Sequence, residues 1–328
     1  MTSKNVLLLC GGGSSEHEVS LISAGYLMSE LSKIEGVNPV QVEITDEGWK
    51  LNDGTIAELN LQKQLVSETS AVTIDYVVPC IHGFPGETGE IQAFLDLIGL
   101  PYLGCNTEAN VVCFNKITSK LWFDTLGIPN TPYIFLSDAS EQSLEKAEEA
   151  FAKWGKVFVK AASQGSSVGC YKVTEIEGLR QAIQNAFGYS SQVLIEKAVK
   201  PRELEVAAFE YNGEVVVTAP GEIYCPDDKF YTYDEKYSAD SDSTTTLEPE
   251  NLAIEHVVEI MEYAHKAFEH LRLKDLSRID FFLTEDNDVY LNEINTFPGM
   301  TPISMFPKLV EFSGTPFSDF LKDRIFQH

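Results

Sequence analysis

Between Arg278 and Ser304 the chain reads RIDFFLTEDNDVYLNEINTFPGMTPIS, and this stretch limits the fold more than any other. Two apolar runs, Ile279 to Leu283 and Val289 to Ile294, flank the polar segment Glu285-Asp286-Asn287-Asp288. Apolar runs joined by a short Asp/Asn segment predict two antiparallel strands and a turn. A turn centred on Asp286-Asn287 sets Asp280 opposite Glu293 and Arg278 opposite Asn295. Side chains alternate along a strand, so these four residues share one face. Directly opposed residues have Cβ atoms about 5 Å apart, where like charges repel. Two carboxylates and a carboxamide at that distance make sense with cations between them. Ligands that are all oxygen suit Mg²⁺, which completes its shell with water and nucleotide phosphates. The alternative is a solvated hairpin face with incidental charges. Against it, the central residues of both strands are too apolar for a fully wet ribbon.

The run NEINTFPGMT, from Asn292 to Thr301, resembles the C-terminal signature of the D-alanine–D-alanine ligases of the ATP-grasp superfamily. The resemblance implies an α/β protein of three-domain ATP-grasp architecture. An N-terminal β-α-β domain over 1–107 would bind substrate. A central domain over 108–198 and a C-terminal catalytic domain over 199–328 would be α+β units clasping ATP.

Towards the amino terminus, Val6 to Cys10 is an unbroken apolar run, as in a parallel strand covered on both faces. Gly11-Gly12-Gly13-Ser14-Ser15 and a helical pattern from about Glu16 to Leu31 follow. This is not the dinucleotide fingerprint, because Glu16 stands where the third glycine belongs. A carboxylate there repels a pyrophosphate but can hold an ammonium group; as a first-turn acid it also suits the helix dipole. Ser15 and Glu18 have capping-box spacing, which makes Glu18 structural. Tyr76 to Ile81 is another apolar strand, leading into His82-Gly83-Phe84-Pro85-Gly86-Glu87-Thr88-Gly89 and a helix to about Ile98. The family has Gly-Glu-Asp-Gly here, and Thr88 replaces the aspartate, keeping a residue able to cap a helix while removing a charge. His82 at the strand end has a structural reading and a substrate-binding one. Pro101 to Gly104 closes the first domain.

Asn115-Lys116 opens a helix that runs through Leu126 and stops at Gly127-Ile128-Pro129. The family usually has aspartate where this chain has Asn115. Val157 to Lys160 is a short strand, and the small-residue loop from Ala161 to Gly169 can close over phosphates without a Walker sequence. Val193 to Val199 is a strand running into a charged hinge. Glu203 to Phe209 alternates only in its first half, which makes Glu205 a surface partner. From Gly221 to Pro249 regular patterning is scarce, as in a functional or disordered loop. Within it, Phe230 to Tyr237 is similar to the family's mobile substrate loop. An amphipathic helix is expected from about Leu252 to Leu271, burying Ile254, Val257, Val258, Met261 and Ala264.

The resemblance implies roles for these residues. Asp280, Glu293 and Asn295 would hold two Mg²⁺ ions, or Mn²⁺ in their place. Lys116 and Lys160 would meet the ATP phosphates. Glu196, Lys197, Val199 and Phe230 would seat the nucleotide, with Glu203 on the ribose hydroxyls. Arg278 and the Gly299 N–H would stabilise the tetrahedral oxyanion. Glu16, with His82, would fix the first substrate's ammonium, in a network with Ser166 and Tyr237. Lys236 and Ser304 would bind the second substrate's carboxylate. No general base stands out. The activity implied is ATP-driven joining of two D-alanines through an acyl phosphate for peptidoglycan precursors, by a cytoplasmic homodimer. D-lactate or D-serine as second substrate is an alternative, against which Tyr237 and Met305 weigh. Another ATP-grasp ligase or a nucleotide-binding regulator are further alternatives; the regulator would be expected to have lost Lys160, Arg278 or a metal ligand, and none is lost.

A net charge of −26 argues against nucleic-acid or anionic-membrane partners, which require basic patches. The six cysteines form no CxxC pair, so neither a zinc nor a redox motif is indicated. Val6 to Cys10 is too short for a signal peptide's apolar core.

Overall fold

The computed structural model describes residues 3–13, 15–224 and 244–327. These build three sheets. In the first, β1 (Lys4–Gly11) lies parallel between β2 (Val37–Thr45) and β7 (Tyr76–Pro79). Val6 to Cys10 are fully buried, which is why this strand shows no alternation. Beyond β2 the sheet continues as an antiparallel meander: β3 (Gly48–Leu51), β4 (Ile56–Leu59), β5 (Gln64–Ser67) and β6 (Ala71–Thr73). The expected β-α-β unit is thus only one side of a seven-stranded sheet.

Helix α1 (His17–Leu31) follows β1, and α2 (Glu90–Ile98) follows β7. The expected Ser15–Glu18 capping box does not form. The N-cap is Glu16, its backbone (φ −99°, ψ 13°) lies outside the extended geometry of a side-chain cap, and no cap hydrogen bond is made. Nor does Thr88 cap α2: the N-cap is Gly89, and the Thr88 hydroxyl donates to the Glu90 side chain.

The second unit contains α3 (Thr107–Phe114), α4 (Lys116–Leu126), β8 (Tyr133–Leu136), α5 (Glu141–Trp154), β9 (Val157–Ala161), β10 (Cys170–Val173), α6 (Leu179–Phe187) and β11 (Val193–Lys197). Its strands are antiparallel in the order β10-β9-β11-β8. Asn115 caps α4 by accepting from the Ile117 and Thr118 N–H groups, so the departure from aspartate costs the helix no cap. Gly127 ends the helix in the left-handed region, where glycine carries no steric penalty.

The third sheet comprises β12 (Pro201–Tyr211), β13 (Glu214–Val217), β14 (Gly221–Tyr224), β15 (Thr244–Thr246), β16 (Leu276–Thr284) and β17 (Val289–Asn295). Its order is β15-β14-β12-β16-β17, with β13 also on β12. Helix α7 (Ile254–His270) buries Ile260, Ala264, Ala267 and Phe268. Of the face expected for it, Ile254 and Val258 are exposed, because the core it packs on begins only at Ile260. Helices α8 (Met305–Phe312) and α9 (Phe317–Phe326) return to the first sheet. There Phe306, Phe317 and Phe320 share one core with Val6, Leu8, Leu27 and Phe209. The first and third sheets are therefore fixed to each other by apolar packing.

The hairpin of β16 and β17 pairs Arg278 with Asn295 and Asp280 with Glu293, as expected. Nearer the turn the register differs. Phe281 pairs with Leu291 and Leu283 with Val289, and the shift between Asp280 and Phe281 leaves Asn292 as a β-bulge. The turn is three residues long, with Thr284 N–H bonded to Asp288 O and Asn287 in the left-handed region (φ 65°).

Candidate active site

A cleft of about 1280 Å³ opens where the three sheets meet. All fifteen described candidates line it: Glu16, His82, Lys116, Lys160, Ser166, Glu196, Lys197, Val199, Glu203, Arg278, Asp280, Glu293, Asn295, Gly299 and Ser304. Phe230, Lys236 and Tyr237 lie outside the described residues.

The β16–β17 hairpin forms one wall. Arg278 grips Asp280 with two hydrogen bonds, Nε to Oδ1 and Nη2 to Oδ2, both 2.8 Å. Its Nε is also 3.2 Å from Glu205 Oε2. Glu205 is buried, a correction to the surface role expected for it. It pairs with Asp280 across β12 and β16, so alternation turns it onto the same face. Asn295 Nδ2 donates to Asp280 Oδ2 at 3.0 Å, which turns its amide oxygen away from that carboxylate. Lys116 Nζ stands 3.8 Å from Glu293 Oε2 and donates to Gln164 O at 2.6 Å. Two carboxylates and an amide oxygen on adjacent strands are a donor set that fits Mg²⁺. Among the described residues no group of three or more His, Cys, Asp or Glu side chains is placed to hold a metal ion by itself.

The loop after β9 closes the opposite side. Ser166 Oγ donates to Glu16 Oε1 at 2.5 Å, joining residues 150 positions apart. This requires a close approach: a Cβ on Gly165 would stand 2.8 Å from Glu16 Oε2. Ser166 and Ser167 both take positive φ (50° and 60°). Such strain costs roughly 1–3 kcal/mol per residue and persists where surrounding contacts over-determine it. Beside Glu16, His17 meets Gly12 O through Nδ1 (2.8 Å) and Glu43 Oε1 through Nε2 (3.2 Å). Both partners are acceptors that favour the protonated ring, and its pKa is raised, first by the Gly12 bond.

His82 is buried with its Nε2 3.0 Å from Ser23 Oγ, and Ser23 Oγ accepts from Met300 N–H at 3.3 Å. Burial lowers its pKa, and a backbone hydrogen bond to Phe297 engages the ring as well. The histidine therefore ties the first sheet to the loop that carries Gly299. Ser304 Oγ accepts from Thr301 N–H at 3.0 Å and bonds Thr301 Oγ1 at 2.8 Å. Gly299 packs so close that a Cβ would come 3.0 Å from this hydroxyl.

At the hinge, Lys197 N–H donates to Pro132 O and Ala198 N–H to Lys156 O, both 2.9 Å, fixing it on two sides. The Glu196 side chain turns inward. Lys120 Nζ lies 2.7 Å from Oε1 and Lys160 Nζ 2.5 Å from Oε2, with Thr131 Oγ1 donating to Oε1 at 3.0 Å. Burial opposes its charge, yet the two ammonium groups hold the carboxyl well below the usual range.

Sequence reasoning missed three residues here. Lys120 stands four positions after Lys116, a spacing that puts both on one helix face. Glu87 lies inside the His82–Gly89 segment and lines the cleft. It accepts from Gly83 N–H at 2.8 Å, and burial followed by the nearby Glu16 charge pushes it up to about 8. Glu205 was hidden by the incomplete alternation of its strand.

Comparison with known proteins adds sequence and fold. The profile of the D-ala D-ala ligase N-terminus matches residues 5–105, and that of the D-ala D-ala ligase C-terminus matches 122–326. A D-alanine--D-alanine ligase of Vibrio parahaemolyticus is 59% identical over 323 residues, covering 98% of each chain. The crystal structure of D-alanyl-alanine synthetase A from Vibrio cholerae superposes with a TM-score of 0.95 at 55% identity, covering 100% of this chain and 98% of that one. The VanG D-Ala:D-Ser ligase of Enterococcus faecalis shares the fold (TM-score 0.86) at 26% identity, over 99% of both chains. Among the described residues no helix is long and apolar enough to cross a membrane.

Proposed function

The chain belongs to the D-alanine–D-alanine ligase family, and from that premise we infer that it joins two D-alanines into D-alanyl-D-alanine at the expense of ATP. The observation that carries the reading is the convergence, in one cleft, of the Arg278–Asp280–Glu293–Asn295 face with the Glu16–Ser166 contact. The frame is three domains, over 1–107, 108–198 and 199–328.

A carboxylate is a poor electrophile. The first D-alanine's carboxylate therefore attacks the γ-phosphorus of ATP, ADP leaves, and the acyl phosphate formed carries phosphate as leaving group. The second D-alanine, its ammonium having lost a proton, attacks the acyl carbon, and phosphate departs. Glu16 receives the first ammonium, with Glu87 in the same wall. His82 holds the 297–300 loop in place. Lys116 and Lys160 bind the phosphates, while Glu196, Lys197, Val199 and Phe230 seat the base and Glu203 the ribose. Two Mg²⁺ ions on Asp280, Glu293 and Asn295 would neutralise charge on the triphosphate. Arg278 and the Gly299 N–H stabilise the tetrahedral oxyanion, where one lost donor typically costs on the order of 10²–10³ in rate. Ser304 and Lys236 take the second carboxylate, and Tyr237 extends the Ser166–Glu16 link. In this reading the enzyme works as a cytoplasmic homodimer supplying peptidoglycan precursors.

ADP release with D-alanine, D-lactate, D-serine or L-alanine, singly and in pairs, tests it. D-alanine alone should give ADP and dipeptide in equal amounts. Absence of ADP with D-alanine, or product mainly from another pair, would overturn it.

A further inference from the structure

We propose that Lys120 is a positioning residue for nucleotide binding: as the permanent counter-ion of Glu196, it leaves Lys160 able to pass its N–H groups to the nucleotide phosphates. The inference rests on the ATP reading above and adds to it a residue outside the cleft.

The two lysines on Glu196 are not equivalent. Lys120 Nζ meets Glu196 Oε1 (2.7 Å), Asn130 Oδ1 (3.0 Å), and both Thr131 O and Thr131 Oγ1 (3.1 Å each). An ammonium group has three donors, and four oxygens surround this one. Its side chain is 2% exposed and does not line the cleft. It has neither the donors nor the access to serve a ligand. Lys160 approaches the other carboxylate oxygen from the cleft side, with 16% of its side chain exposed.

Charge balance gives the arrangement its purpose. Glu196 is 3% exposed and needs one counter-ion, yet two are present, so the cluster carries one surplus positive charge. The surplus sits on the lysine that faces the cleft. Were Lys160 alone, its move to a phosphate would strand a buried carboxylate, which is strongly unfavourable. With Lys120 and Thr131 on Oε1, the carboxylate stays paired while Lys160 leaves Oε2.

The test measures ATP binding by calorimetry, and the KM values for ATP and D-alanine, for the unmodified protein, Lys120→Met, Lys120→Gln and Lys120→Met/Glu196→Gln. Both single variants should weaken ATP binding and raise its KM about tenfold or more, with the D-alanine KM within about twofold. The double variant removes the stranded charge and should recover at least about threefold in ATP affinity over Lys120→Met. Should the single variants fail to fold while the double variant folds, the counter-ion role stands. Unchanged ATP affinity, a parallel rise in both KM values, no recovery in the double variant, or failure of all three to fold would overturn it. Failure of the ligase reading would show separately, as absence of ADP from the unmodified protein.

Discussion

Two arginine–carboxylate clusters meet the chain near the start of β16, where Asp275 of one and Arg278 of the other stand three residues apart. In one, Arg278 binds Asp280 and Glu205 on the wall of the cleft. In the other, Arg324 of α9 binds Asp323 (2.6 Å), Glu210 (2.8 Å) and Asp275 (3.3 Å), and Asp275 also accepts from Gly104 N–H at 2.8 Å. Each sets one guanidinium among several acids, and both carry excess negative charge. They differ in where they open. Arg324 and Asp275 are sealed, and only the outer acids Glu210 and Asp323 (29% and 15% exposed) reach the surface, away from the cleft. Arg278 and Asp280 keep 14% and 12% of their side chains open on the cleft itself. The sealed Asp275 can relieve excess charge only by taking a proton, and burial pushes it up to about 6. The cluster open on the cleft can take cations from solution. The same residue types thus make a latch that ties α9 to β12 and to the Gly104 segment in one place, and a reaction site in the other.

Three substitutions press on that contrast. Glu293→Gln should have the largest effect. Loss of one metal-facing carboxylate removes several kcal/mol of transition-state stabilisation, on the order of 10³ or more in ADP production. The melting temperature should stay within a few degrees, and normal turnover by the folded variant would break the reading of the open cluster. Arg324→Met should do the reverse. Stranding the buried Asp275 costs about 3–5 kcal/mol of stability, read by urea unfolding, while kcat of the folded fraction is retained. A stable variant with impaired kcat would mean the two clusters are not separate in function.

The smallest effect concerns pH. The folded pKa of Asp275, about 6, lies above its ordinary 3.8. Its contribution to stability is therefore full below 3.8 and is lost as pH rises through about 6. Asp275→Asn should flatten that part of the stability profile between pH 4 and 7. An unaltered slope would mean that Arg324 and the Gly104 N–H keep the carboxyl ionised throughout.

What could be read from the sequence follows from where the signal is local. Asn115 and Gly127 bracket α4 because caps are decided within a few residues. The carboxylates at 280 and 293 could be placed although the turn itself is one residue longer than expected, because the bulge at Asn292 restores the pairing beyond it. The meander from Gly48 to Thr73 passed unread, since strands of three or four residues offer too few alternations to register. The inward turn of Glu205 and the sealing of Lys120 depend on partners at Asp280 and Glu196, far away in sequence. The burial of α7 was misplaced because its apolar positions continue past the end of the surface it covers.

The bulge at Asn292 has a bearing on how this hairpin can vary. Two different hairpins bring Asp280 opposite Glu293: a two-residue turn on Asp286-Asn287 with a regular ladder, or the observed three-residue turn with one extra residue at Asn292. The pairing that matters to chemistry is therefore degenerate with respect to the loop that connects it. In an unbroken ladder, a one-residue slip would carry every side chain of β17 to the other face. Here a change of turn length can be absorbed by losing or shifting the bulge. The loop at 285–287 is free to diversify, while the acids fourteen ångströms or so along the strand, at about 3.4 Å per residue, keep their partners.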